Sequence, residues 1–203
     1  GHARLPQTAG WVIMLRQTKT GDVTFRETMS GPFAIGVTDP AEGTKVARRA
    51  GWRLTLHASV TVAGDGPAAL TGEVRLSGAR ERIPVEVGTF LLFPSDGESD
   101  GELMRYEMSF DGGRYRLTGF KTAGQRPFVA RLWRDTTTLY TRLSRDGDVI
   151  GAGVLHLGVG DLARLVASMR APGARTPGDA ARTIGCFALR FTRGLAEAYL
   201  PWR

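Results

Sequence analysis

Residues 102–122 read ELMRYEMSFDGGRYRLTGFKT. Glu102, Met104, Tyr106, Met108 and Phe110 alternate with Leu103, Arg105, Glu107 and Ser109, a period of two that puts the first set on one, mostly apolar, strand face. Asp111-Gly112-Gly113 follows, a turn that tolerates the positive φ of a tight hairpin. The chain returns as Arg114 to Thr122 with Tyr115, Leu117 and Gly119 on one side. This is a β-hairpin, and similar units lie on both sides of it.

Upstream, Val23 to Val37 reads as a strand with Phe25, Glu27 and Met29 on one face. Gly31-Pro32 marks a bend or bulge, after which Phe33, Ile35 and Val37 resume. Thr38 to Gly51 reads as a polar connection. Trp52, Leu54, Leu56, Ala58, Val60 and Val62 then share a face, and Leu70, Gly72, Val74 and Leu76 form the next strand. Ile83, Val85, Val87, Thr89, Leu91 and Phe93 line a further one, in which Phe90 and Leu92 are apolar on the second face. Pro94 to Gly101 is an acidic surface loop.

Downstream of the opening hairpin, a linker through Gly124 and Pro127 precedes a second hairpin, Leu132 to Leu157, turning at Asp146-Gly147-Asp148. Trp133, Leu139, Tyr140 and Leu143 lead into that turn. Gly151 and Gly153 in its return strand leave room for close packing. After Gly158 the period changes from 2 to 3.6. Asp161 is the expected N-cap of a helix bearing Leu162, Leu165, Val166 and Met169. A mobile loop, Arg175 to Gly178, leads to Asp179, the expected N-cap of a second helix striped with Ile184, Phe187, Phe191, Leu195 and Tyr199.

The expected fold is mainly β: an antiparallel up-and-down, lipocalin-like β-barrel of about eight strands with two C-terminal helices. Closure removes the edges that strands of this length would expose, and a barrel of this size can hold one small ligand. Three parts are expected: a tag remnant and flap over residues 1–22, the barrel over 23–158, and helices packing on it over 159–203. Gly1-His2 has the form of a cleaved-tag scar, and Trp11, Val12, Ile13, Met14 and Leu15 form the apolar cluster of the flap.

Composition narrows the function classes. The net charge is +7, yet only three of the 27 basic residues are Lys, and the Arg residues form no stripe, so no nucleic-acid partner is expected. The lone Cys186 excludes an internal disulfide; in an apolar helical pattern it is expected to be a buried, inert thiol. No run reaches the ~18 apolar residues of a membrane span, and Trp11 to Leu15 is too short for a signal peptide. A cytoplasmic protein is expected, and a homodimer is left open.

The segments MRYEMSFDGGRYRLTGFK, LWRDTTTLYTRL and GAGVLHLGVGDLARLVASMRA resemble a β-rich accessory domain. That domain accompanies glucose-methanol-choline-type oxidoreductases related to cholesterol oxidase, and α/β-hydrolases. The likeness covers Phe25 to Ala171, and its motifs are structural and carry no catalytic residues. The Gly-rich flavin fingerprint of those oxidoreductases is absent from the sequence. In size and barrel pattern the chain is also similar to the small β-barrel cyclases of spirotetronate and polyether polyketide pathways, which fold a hydrophobic chain into a cyclisation geometry.

The chemistry expected is therefore that of a hydrophobic cavity with a few polar groups. Glu27 and Glu102 are carboxylates on otherwise apolar faces; Glu102, at a strand start, reads as a rim residue in water. Glu27 and Tyr106 are the candidate catalytic residues, a proton donor or acceptor and a carbonyl hydrogen-bond donor. Met104, Met108, Tyr115, Trp133, Tyr140 and Trp52 are the candidate ligand-binding residues. His57 sits on a polar face, and His156 shares a face with Ile150, Ala152 and Val154, where a satisfied core histidine is expected. With so few His and Cys, no metal site is expected, and no cofactor. Two functions follow: a cofactor-independent cyclase or isomerase for a hydrophobic polyketide-like substrate, or a non-catalytic sterol- or lipid-binding module serving a partner oxidoreductase or hydrolase.

Overall fold

A computed structural model describes residues 21–64, 66–79, 81–94, 102–123 and 129–199. In it the opening hairpin is β6 (Glu102–Phe110) and β7 (Tyr115–Thr122), in register from Phe110↔Tyr115 to Met104↔Lys121. Asp111, Gly112 and Gly113 all take positive φ in the turn between them. The other strands are β1 (Val23–Ile35), β2 (Arg53–Val62), β3 (Ala68–Leu76), β4 (Ile83–Pro84), β5 (Val87–Leu92), β8 (Thr138–Arg145) and β9 (Asp148–His156).

Each strand pairs antiparallel with its neighbour in the order β1-β2-β3-β5-β6-β7-β8-β9, and β9 pairs back onto β1. The result is a closed eight-stranded up-and-down barrel, with the short β4 added beside β3 through Val74↔Ile83. The ladder is thinnest between β3 and β5, which pair at Ala68↔Phe90 and Ala69↔Thr89. Met29, Phe33, Leu54, Leu56, Met108, Phe110, Leu117 and Leu139 fill one end of the interior.

Among the described residues four helices dress the barrel: α1 (Pro40–Ala50), α2 (Val129–Thr137), α3 (Val159–Ser168) and α4 (Pro177–Tyr199). The two C-terminal helices are as expected, and Phe187, Phe191, Leu195 and Tyr199 of α4 pack against the core. Their starts differ. Gly158 caps α3 with Asp161 in its first turn, and the Thr176 hydroxyl, not Asp179, accepts the free N–H at the start of α4, from Asp179. Residues 175–178 are thus largely helix entry.

Helix α1 replaces the expected polar connection. Asp39 caps it by accepting from the Glu42 N–H at 2.9 Å, Pro40 opens it, and Gly51 closes it in the left-handed conformation. It lies against β1 and β9, where Gly43 meets the Ala152 carbonyl so closely that any Cβ would collide. Other local expectations also shift. β1 runs unbroken through Gly31-Pro32 in one register with β2. The chain between β4 and β5 leaves the ladder, so Phe90 and Leu92 face inward while Val87 is exposed. The expected flap lies, except for Gly21 and Asp22, outside the described residues.

Candidate functional site

At the barrel end opposite the filled core, α2, α3 and α4 close over the mouth and leave a cavity of about 350 Å³. Its floor and walls come from Phe25 and Glu27 of β1, Phe90 and Leu92 of β5, Met104 and Tyr106 of β6, and Lys121 of β7. Its roof is Leu162 and Leu165 of α3 with Phe187 and Phe191 of α4, while Trp133 of α2 stands at its edge, 43% exposed. A depression of about 410 Å³ beside Asp179, Arg182, Cys186 and Arg190 is more open to solvent and takes in none of the buried charged side chains.

Three polar side chains sink into the apolar cavity. Glu27, Lys121 and Tyr106 are 3%, 2% and 1% exposed. Strand parity puts them there: Glu27 shares a face with Phe25 and Met29, Tyr106 with Met104 and Met108, and Lys121 with Leu117 and Gly119. The Lys121 Nζ lies 3.7 Å from Glu27 Oε2, reached across the interior between non-neighbouring strands, and 5.3 Å from the centre of the Tyr106 ring. That is a loose ion pair, and Glu27 Oε1 is buried with no hydrogen-bond partner. An orphaned buried acceptor of this kind costs ~1–3 kcal/mol or more.

Environment sets their protonation. Burial pushes the Lys121 ammonium below its ordinary pKa, and the Glu27 carboxylate offsets part of that. Burial, helped by Glu27, holds the Tyr106 phenol well above 10, so it stays a neutral donor. Its hydroxyl approaches Met104 Sδ at 3.9 Å, a weak acceptor. The roof hydroxyls are already engaged: Thr136, Thr137 and Thr192 donate to the carbonyls of Leu132, Trp133 and Ala188 at 2.7, 2.6 and 2.8 Å. Glu27, Lys121 and Tyr106 therefore carry the site's polarity.

Of the expected site residues, Glu27, Tyr106, Met104 and Trp133 meet in this cavity. Trp133 arrives from helix α2 rather than from a strand, because β8 begins only at Thr138. The other four lie elsewhere. Met108 is buried one layer deeper, in the filled core. Tyr115 sits at the far end, with the Arg114 and Arg145 guanidiniums each 5.9 Å from its ring centre. Tyr140 is on the outer face, its ring stacked on Phe120 at 5.7 Å. Trp52 precedes β2 and is 47% exposed, because its N–H closes the C-terminus of α1 onto the Ala47 carbonyl.

Three other expectations are corrected. His156 is exposed, donating to or accepting from Thr138 Oγ1 at 3.3 Å, and partial burial with Arg48 and Arg134 nearby lowers its pKa. Cys186 is exposed on α4. Glu102 is buried rather than a rim group in water, paired with Arg105 at 2.8 and 2.9 Å, because a bulge between Glu102 and Met104 turns it to the Arg105 side. Sequence reading missed Lys121, although its inward parity with Leu117 and its rarity in an Arg-rich chain both pointed to it.

Among the described residues no cluster of three or more His, Cys, Asp and Glu could hold a metal ion, and no helix is long and apolar enough to cross a membrane. Comparison with protein-family models, with curated proteins and with solved structures finds no match to this chain.

Proposed function

We propose that the chain is a barrel enzyme of the cyclase or isomerase type, acting on a hydrophobic, polyketide-like substrate that carries a carbonyl. The observation that carries this reading is Glu27: a carboxylate sunk in an apolar cavity with one oxygen unpartnered and a loosely paired Lys121 beside it. A ligand carbonyl there would accept from the Lys121 ammonium or the neutral Tyr106 phenol, which disperses negative charge as an enolate develops. Glu27 Oε1 would take the proton from the carbon next to that carbonyl. The apolar walls would hold the rest of the chain folded near its reacting geometry, worth up to ~7–11 kcal/mol when alignment is good.

Proton exchange tests this. Geranylacetone is incubated with the protein in D₂O, and loss of the signal from hydrogens next to its carbonyl is followed by proton NMR. The reading expects exchange accelerated over buffer and reduced ~10²–10⁴-fold in Glu27→Gln. Binding without exchange would contradict it and favour the second reading, a sterol- or lipid-binding module for a partner oxidoreductase or hydrolase. That second reading is supported by the predominance of aromatic and aliphatic side chains around the three polar groups.

A further inference from the structure

We propose that Lys121 captures aldehyde or ketone ligands covalently, as an imine on its Nζ. This rests on the reading of the cavity as a site for apolar carbonyl compounds and names the bond by which it holds them. Three observations converge. Lys121 is the amine on the cavity wall, 2% exposed, with aromatic and aliphatic side chains around it. Its one ion-pair contact with Glu27 is long, at 3.7 Å, so the nitrogen is not consumed by a tight salt bridge. The unpartnered Glu27 Oε1 stands in the same pocket as a proton carrier. Desolvation also lowers the cost of presenting the free amine, the form that attacks.

The chemistry balances without a further reagent. The Lys121 ammonium first gives a proton to the Glu27 carboxylate. The freed nitrogen lone pair then adds to the carbonyl carbon, a C–N bond forms, and Glu27 gives its proton to the oxygen as it takes one from the nitrogen. The resulting carbinolamine loses its hydroxyl as water, the departing oxygen taking a proton from the Glu27 carboxyl. The C=N bond forms as the C–O bond breaks, and the remaining nitrogen proton returns to Glu27. Addition of water reverses every step and releases the ligand.

The test uses the wild-type chain, so no variant has to fold. Protein and decanal are mixed with sodium cyanoborohydride, which reduces an imine to a stable secondary amine, and the labelled residue is located by peptide mapping. Lys121 is expected to carry about tenfold or more label than the exposed Lys45, because the apolar cavity that binds the aldehyde holds its carbonyl beside the Lys121 nitrogen. Decanol, which fills the cavity but forms no imine, should suppress that label and leave Lys45 unchanged. Label favouring Lys45 while calorimetry shows decanol bound would overturn the imine and leave the cavity reading standing. Failure of decanol to bind at all would overturn both.

Discussion

Glu27 and Lys121 meet because two strands that are not neighbours point the same parity into one barrel, and the energetics of that meeting are testable. Removing one partner strands the other in an apolar interior, so Lys121→Met should cost ~3–5 kcal/mol in urea denaturation. Replacing both, as Glu27→Leu with Lys121→Met, should recover most of that loss, since buried pairs are often no better than apolar side chains of similar size. If the single change costs less than the double, the pair is not coupled as described. The pH dependence has a definite sign. The folded chain holds the Lys121 proton less tightly than the unfolded chain does. Wild-type stability should therefore rise relative to Lys121→Met as pH climbs from neutrality towards ~10.4, the unfolded lysine value. A difference that falls over that window would contradict a lowered Lys121 pKa. Tyr106, whose phenol is held protonated, is common to both proteins and drops out of the comparison.

At the scale of elements, the small residues of the helices separate packing from propensity. Gly43 of α1 sits on the Ala152 carbonyl, so Gly43→Ala should destabilise the fold by pushing the helix off β9. Gly185 of α4 has open space around its Cβ position, so Gly185→Ala should stabilise by up to ~1 kcal/mol through helix propensity alone. Melting curves of the two variants should move in opposite directions; the same sign for both would refute one placement. These helices also show what was legible beforehand. The strands announced themselves through alternation, and inward parity picked out Glu27, Met104 and Tyr106. Helix α1 was missed although Asp39-Pro40 and Gly51 mark its ends, because its short apolar stripe, Gly43 and Ala47, is too small to register as periodicity. Tyr140 has the parity opposite to inward Leu139, so alternation itself puts it outside, whereas Trp52 and Tyr115 were misplaced for a different reason. Alternation assigns a face but not a depth along the barrel, and it cannot say where a helix ends and a strand begins. The roof itself, Leu165 with Phe187 and Phe191, was visible as two helical stripes, but what they cover is set by tertiary docking.

The whole molecule is a barrel packed solid at one end and roofed at the other. The Tyr199 hydroxyl donates to Asp135 Oδ2 at 2.6 Å and ties the end of α4 to α2 across the roof. Tyr199→Phe should cost ~1 kcal/mol and raise hydrogen exchange in α2 and α4 while the barrel strands stay protected. Uniform loss of protection would mean that the roof and barrel open as one unit. The central claim is that the space beneath this roof is a ligand site rather than a packing void. Calorimetric titration of geranylacetone into wild type and Leu165→Trp, at several temperatures, tests it most directly. The account predicts saturable binding to wild type with a negative heat-capacity change, the signature of apolar burial. In Leu165→Trp, whose indole fills the cavity, binding should be lost with the melting temperature unchanged. Equal binding by both proteins, or none by wild type, would contradict it.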